Sequence, residues 1–353
     1  GYSTGRELAE YFMPSGPWGG LAGMLLAMLI WSVIAVVTFL FARATGARDY
    51  RTFFLNLLGP LAPVFDFAYV PYIILLLSVF GAAAGALGAA VFGWHPIGGT
   101  LCLMVATAYC VAFGNTSVER VFKWVSVLLY ATYALFLVLA VAKFGKQVPS
   151  HFAMTADSGG WAARGVTYAA YNIIGAVVIL PVTRHLTSRR DALVAGALAG
   201  PLAMLPALIF FVCMCAFYPQ IQSAVLPSDF MLRQMDLPAF QLLFQVMIFG
   251  ALLESGTGCL HAINERIAAA LGNTTALGNT AALGNRPGRT LSTGARFTIA
   301  SVMLIGAVFC ANRFGLVTLI AKGYRGLAYT MLALYIAPLL TVGLWKLRSS
   351  DRK

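Results

Sequence analysis

Residues 1–42 read GYSTGRELAEYFMPSGPWGGLAGMLLAMLIWSVIAVVTFLFA. A glycine-rich start leads into a half-length helix over Gly5 to Met13, a turn, and then a long apolar helix over Trp18 to Ala42 that carries Gly19, Gly20 and Gly23. About 20 helical residues cross about 30 Å of hydrocarbon, so the second helix spans a bilayer and the first cannot. Thr4-Gly5-Arg6-Glu7 fits a capping box, with the Thr4 hydroxyl on the Glu7 amide and the Glu7 carboxylate reaching back to Thr4. The same plan returns at Tyr171 to His185, followed by Ala195, Gly196 and Gly200. The second unit begins five segments after the first, so the two enter the membrane from opposite sides. Inverted repeats of this kind, with an interrupted first helix, are a recurrent plan in secondary transporters, with the solute held at the interruptions.

The rest of the chain agrees with a membrane solvent. Of 353 residues 60% are hydrophobic and 10% charged, where soluble domains carry about 25% charged residues, and the mean hydropathy is +0.82. Further apolar runs cover Pro60 to Ala90, Gly98 to Phe113, Phe122 to Ala142, Ala163 to His185, Ala192 to Phe217, Pro238 to Ala268, Phe297 to Ala311 and Leu327 to Leu347. The net charge of +12 sits in short links between these runs and forms no basic stripe with interleaved aromatics, which excludes a nucleic-acid partner. The six cysteines lie inside apolar segments and read as small buried hydrophobes, not as a disulfide frame or metal site. No nucleotide loop, HExxH motif or GxSxG elbow occurs, so the sequence does not point to an enzyme.

Lys and Arg accumulate on the cytoplasmic side of a membrane. With the link after Ala42 inside, 16 of the 24 Lys and Arg fall on the inner face and eight on the outer. This orientation makes the C-terminus cytoplasmic and suits a bacterial inner (plasma) membrane. The expected divisions are a first five-helix repeat over 1–142, an outer loop over 143–162, a second repeat over 163–347 and a tail over 348–353. Within the second repeat, residues 269–296 form a low-complexity linker with Ala-Leu-Gly-Asn at 270, 276 and 282. The outer links 143–162 and 218–237 either cap an entrance or simply connect.

Polar residues inside apolar segments mark the candidate site, because each must be satisfied away from water. Gly250, Glu254, Thr257, His261 and Asn264 follow steps of four and three, forming one stripe on Pro238 to Ala268. Glu254 is then a proton carrier, a cation ligand helped by Ser255 or Thr257, a partner for a base such as Arg6, or a static hydrogen bond to backbone. Asn172 lies halfway along its segment and serves either an interruption or a neighbouring helix. Asp66 and Tyr69 share a face at i and i+3; Asp66 lines the inner vestibule or pairs with Arg51 or Lys123. The amides of Gly1, Tyr2, Ser3, Thr4 and Gly5 would present partial positive charge to a solute carboxylate.

GYSTGREL at 1–8, YNIIG at 171–175 and ESGTG at 254–258 followed by Glu265-Arg266 resemble the YkvI-like amino-acid permeases. These form a branch of the amino acid, polyamine and organocation superfamily. The resemblance implies an all-α integral membrane fold of LeuT-like five-plus-five inverted-repeat type with interrupted first and sixth helices. It also implies that the first half of helix 1 precedes Gly1 and is missing from this sequence. Tyr168, Tyr171, Asn172 and Gly175 would then form the second interruption facing the first, and Ser255 and Thr257 would correspond loosely to sodium-binding hydroxyls. The expected function is a secondary active transporter of an amino acid or similar small zwitterion, coupled to Na+ or H+ by alternating access. The alternatives are a non-transporting sensor or scaffold and a channel. No cofactor beyond Na+ as a coupling ion is expected; the partners are the solute and the lipid bilayer, and a homo-oligomer is left open.

Overall fold

The computed structural model describes residues 2–113, 116–153, 158–276 and 292–350. Gly1, residues 277–291 of the expected linker and residues 351–353 of the expected tail lie outside the described residues. In chain order the α-helices are α1 (Arg6–Tyr11), α2 (Gly16–Thr45), α3 (Tyr50–Leu58), α4 (Ala62–Phe92), α5 (Pro96–Phe113), α6 (Thr116–Phe144), α7 (Val148–Phe152), α8 (Trp161–Asn172), α9 (Gly175–Val178), α10 (Arg189–Cys215), α11 (Pro227–Met235), α12 (Pro238–Ala276), α13 (Thr293–Thr318), α14 (Tyr324–Met331) and α15 (Leu344–Ser350). Among the described residues no strand occurs, and the all-α membrane architecture is as expected.

Among the described residues seven continuous helical stretches are long and apolar enough to cross a bilayer, against ten expected segments. Interruptions account for the difference. The stretch Thr293–Ser349 has 57 residues, or about 85 Å at 1.5 Å per residue, far beyond one hydrocarbon core. Gly315, at φ 70° and ψ 167°, breaks it into two. The half-length α1 runs into the stretch counted with α2. Ala163 to His185 is not one helix but α8, α9 and a 3-10 turn over Leu180–His185.

The residues pack as two compact units, one of Gly1–Tyr69, Leu135–Asp236 and Ile320–Lys353, the other of Val70–Ala134 and Leu237–Leu319. Each unit draws on residues from both of the expected repeats. In the first unit the expected glycine-rich helices α2 and α10 meet backbone to backbone. A Cβ on Gly200 would stand 2.2 Å from the Met28 carbonyl oxygen, and one on Gly196 would stand 2.5 Å from Val36 Cα. The Ser32 hydroxyl donates to the Ala197 carbonyl at 2.8 Å. α8 closes on α2 in the same way, with Gly165 against the Gly23 carbonyl at 2.6 Å. Small residues at such crossings let backbones approach where no hydrophobic force drives helices together.

In the second unit Gly99 of α5 packs on the Ala84 carbonyl of α4, 2.3 Å from where a Cβ would lie. The Thr100 hydroxyl donates to the Gly81 carbonyl at 2.9 Å. The links also hold structure that hydropathy does not show. Asp49 caps α3 by accepting from the Thr52 amide, and α11 starts on Pro227 and carries an Arg233–Asp229 ion pair at 2.8 Å.

The capping box falls elsewhere than expected. Gly5 is the N-cap of α1, in a left-handed conformation at φ 76°, with no side-chain cap. Glu7 is therefore one turn position too early to reach back. Thr4 Oγ1 instead accepts from the Arg6 amide at 3.4 Å, and a capping box forms at Ser188 and Asp191, ahead of α10.

Gly200→Ala is expected to lower the thermal unfolding midpoint in detergent, since its methyl has no room against Met28. Gly306→Ala, whose Cβ would meet nothing nearer than 3.9 Å, should be neutral or raise it, by about 0.4–1 kcal/mol from helix propensity. Midpoints that rise together for both variants would refute the close contact.

Candidate functional site at two interrupted helices

Both interruptions lie in the first unit. The chain enters through a 3-10 turn over Tyr2–Thr4, reverses at Gly5, makes α1, and leaves through a second 3-10 turn over Met13–Ser15. Gly5 is held under α11, where an added Cβ would lie 2.7 Å from Pro227 Cβ. The second interruption follows α8. The Ala176 amide, which in a continuous helix would bond the Asn172 carbonyl, donates to Ile173 at 2.9 Å instead, and Val177 donates to Ile174 at 2.9 Å. The Asn172 side-chain amide donates to the Tyr168 carbonyl at 3.1 Å, so it binds its own helix and not a neighbour. Gly175 is exposed, with nothing within 4 Å of an added Cβ.

A buried cluster joins the two. The Tyr171 hydroxyl donates to Glu7 Oε2 at 2.7 Å, and Glu7 is only 3% exposed. The Tyr11 ring meets Tyr168 at 6.0 Å and Tyr171 at 5.6 Å, and Tyr324 lies 4.4 Å from Tyr171. Tyr11 donates to the Ile320 carbonyl at 2.9 Å, within a π-helical run over Leu319–Gly323, where a widened turn sets carbonyls off the regular ladder. The last membrane segment thus completes the cluster. Of the residues expected here, Tyr168 and Tyr171 are brought onto the first interruption and Thr4 is buried beside it. Ser3 is half-buried, only the backbone of Tyr2 is described, and Gly1 lies outside the described residues.

Sequence reasoning missed Glu7 as a contact, and with it Tyr11 and Tyr324. The signal available was the tyrosine content of three segments, each of which reads singly as packing. Arg6 is committed: it pairs with Glu10 at 2.9 Å and donates to the Gln222 and Ala224 carbonyls at 2.9 and 2.8 Å. Asp66 and Tyr69 sit at another corner of the unit. The Tyr69 ring stacks on Tyr50 at 6.3 Å, and Asp66 shares a cavity of about 60 Å³ with Tyr50, Arg51 and Phe54.

The polar stripe on α12 belongs to the second unit. Glu254 is half-buried and accepts from the Ser126 hydroxyl of α6 at 2.9 Å on each carboxylate oxygen. Ser126 is a partner that the sequence did not suggest. Thr257 donates back to the Leu253 carbonyl at 2.8 Å, a common satisfaction of a hydroxyl in a helix. Ser255 and His261 are exposed, whereas Asn264 is 4% exposed and neither atom of its amide has a hydrogen-bond partner. Among the described residues no group of three His, Cys, Asp or Glu is placed to hold a metal.

The chain is similar to the membrane protein YkvI of Bacillus subtilis (strain 168). The two are 22% identical over 286 residues, which cover 77% of this chain and 78% of YkvI. The resemblance first read from short motifs therefore extends over most of the length. Among solved structures the chain is similar to that of MhsT in complex with L-phenylalanine, with 17% identity, a TM-score of 0.47 and coverage of 99% of this chain and 97% of that one. No family model matches the chain.

The Glu7–Tyr171 bond makes a measurable prediction. Tyr171→Phe leaves a buried carboxylate without its donor and is expected to cost about 1–3 kcal/mol of stability. In a double-mutant cycle with Glu7→Gln, read by thermal or denaturant unfolding, the two effects should couple; strict additivity would mean that the contact contributes nothing.

Proposed function

We propose that the chain is a secondary active transporter of an amino acid or a similarly small amine-bearing solute, working by alternating access on a LeuT-like inverted-repeat plan. The observation that carries this reading is the meeting of two interrupted helices in one buried cluster, with Glu7 of the first hydrogen-bonded to Tyr171 of the second. Interrupted backbone within an apolar segment is tolerated where it serves a bound solute or a wet cavity. The similarity to YkvI places the chain beside another membrane protein and is consistent with this reading. The excess of Lys and Arg in alternate links supports a cytoplasmic C-terminus in a bacterial plasma membrane.

Coupling to H+ or Na+ is assigned to the α12 stripe. Glu254 lies within an apolar span and, among the described residues, accepts from a neutral hydroxyl. A carboxylate in such surroundings gains most from a proton or a cation. Ser126 and Thr257 are the nearest oxygen donors in the proposal; Ser255, being exposed, is given no part. Asp66, beside Arg51 in its small cavity, is proposed to face the inner vestibule.

The test is uptake of radiolabelled amino acids into proteoliposomes under imposed sodium and pH gradients. Gradient-driven accumulation is expected for the wild type. Glu254→Gln should reduce it at least about tenfold, as loss of one ion-linked interaction implies, with abundance unchanged. Uptake by that variant at the wild-type level would remove Glu254 from coupling. Conductance without accumulation would replace the transporter reading with a channel, and no flux of any kind would favour a sensor or scaffold.

A further inference from the structure

Glu7 is a buried acid that coupling at α12 does not use. It lies in the first turn of α1, the place where a solute carboxylate would otherwise meet free amides. A second carboxylate there would be repelled at short range in a medium of low dielectric. The charged and titratable groups around Glu7 are few. On its own helix Arg6 is spent on Glu10 and on two carbonyls, and Tyr11 donates to Ile320. α8 supplies Tyr168 and Tyr171, and the last segment supplies Tyr324 and the exposed Arg325. The 3-10 turn over Gln220–Ser223, also packed against α1, contributes no titratable side chain. Among the described residues Glu7 has no ion-pair partner, and its hydrogen bond comes from a neutral hydroxyl.

Such a carboxylate is an anchor for a positive charge brought from outside. Its donor Tyr171 belongs to a cluster of four tyrosine rings, with Tyr11, Tyr168 and Tyr324, whose neighbouring centroids lie 4.4 to 6.0 Å apart, and the negative faces of aromatic rings attract ammonium groups. Resting on the transporter reading above, we propose that the interrupted-helix site recognises its solute by a positively charged amine, with Glu7 as the counter-charge and Tyr11, Tyr168, Tyr171 and Tyr324 as the surrounding cage. The solute class is then primary amines, with or without a carboxylate; the carboxylate is not what the site reads.

A matched series separates the two ends of the solute. L-leucine, isoamylamine and 4-methylpentanoate share one side chain and carry both groups, the amine alone or the acid alone; L-phenylalanine, phenethylamine and 3-phenylpropionate form a second set. Each is tested for thermal stabilisation of the detergent-purified chain and for competition with amino-acid uptake in proteoliposomes. The amino acids and the amines should stabilise and compete, and the acids should not. Glu7→Gln should raise the half-saturating amine concentration about tenfold or more, the scale of a charge-assisted hydrogen bond. The wild-type series needs no variant, so a poorly folding Glu7→Gln leaves the test intact. Uptake with acids competing as well as amines would overturn amine recognition and leave the transporter standing. No binding and no uptake of any of the six would overturn both.

Discussion

A peptide group in hydrocarbon has no water to bond, so every break in a membrane helix must be answered by the protein or by what it binds. The first unit of this chain concentrates its breaks: two glycine reversals around α1, the turn at Ile173–Ile174, and a π-helical run at Leu319–Gly323. The answers are a tyrosine hydroxyl, an indole N–H and a side-chain amide. Tyr11 bonds the Ile320 carbonyl, Trp31 donates to the Ala169 carbonyl at 3.1 Å, and Asn172 bonds Tyr168. Tyr11 packs edge to face on Tyr168 and Trp31 stacks on it, so these hydrogen bonds and the aromatic cluster are one construction. Loosening a ring would expose a carbonyl, and straightening a break would displace a ring.

That cluster depends in turn on how closely the long helices approach. α2 is nearly apolar around its whole circumference, and what directs its packing is the distribution of small residues. Gly20 accepts the Phe211 ring of α10, Gly23 the backbone of α8, and Ser32 the turn around Ala197 and Gly200. Apolar side chains alone would not separate a protein-facing from a lipid-facing surface, because lipid tails are as apolar as leucine. The exposed Leu25, Leu29 and Val33 lie on the same helix at positions where no backbone approaches.

What was legible in the sequence follows from this. Apolar length is a local property, and the spans were read closely: Pro60 to Ala90 was expected and Ala62–Phe92 forms. Glycine spacing is nearly as local, and Gly196 and Gly200 of the second glycine-rich helix pack where the first passes. The interruption at Tyr171-Asn172 was implied by the family resemblance, whereas the Asn inside an apolar run left a bond to a neighbouring helix equally open. Glu7 was misassigned because the capping-box spacing is satisfied in sequence, while the cap itself depends on the dihedral angles of Gly5. Tyr324 and Ser126 were missed for a different reason. Each acquires meaning only through a partner more than a hundred residues away, Tyr171 in one case and Glu254 in the other, and single-sequence periodicity contains nothing about such pairs.

Two carboxylates in apolar surroundings have now been placed, and the chemistry around them differs in a way that bears on their roles. Glu7 is buried and accepts from the phenol of Tyr171, itself part of a cluster of tyrosine rings. Glu254 is half-buried on a stripe that continues through Thr257 to Asn264, whose buried amide has no partner. A closed aromatic setting favours a shaped organic cation, since ring faces add attraction without competing as hydrogen-bond donors. A partly accessible row of small oxygen and amide groups favours a proton or a hydrated ion, which needs successive polar partners and little enclosed volume. A conventional arrangement would have neutralised each acid with a fixed Arg or Lys. Here the nearest guanidinium to Glu7 is turned to Glu10 and two carbonyls, and among the described residues Glu254 has no ion-pair partner. On the reading proposed above, the positive charge in both places is supplied by something that can leave.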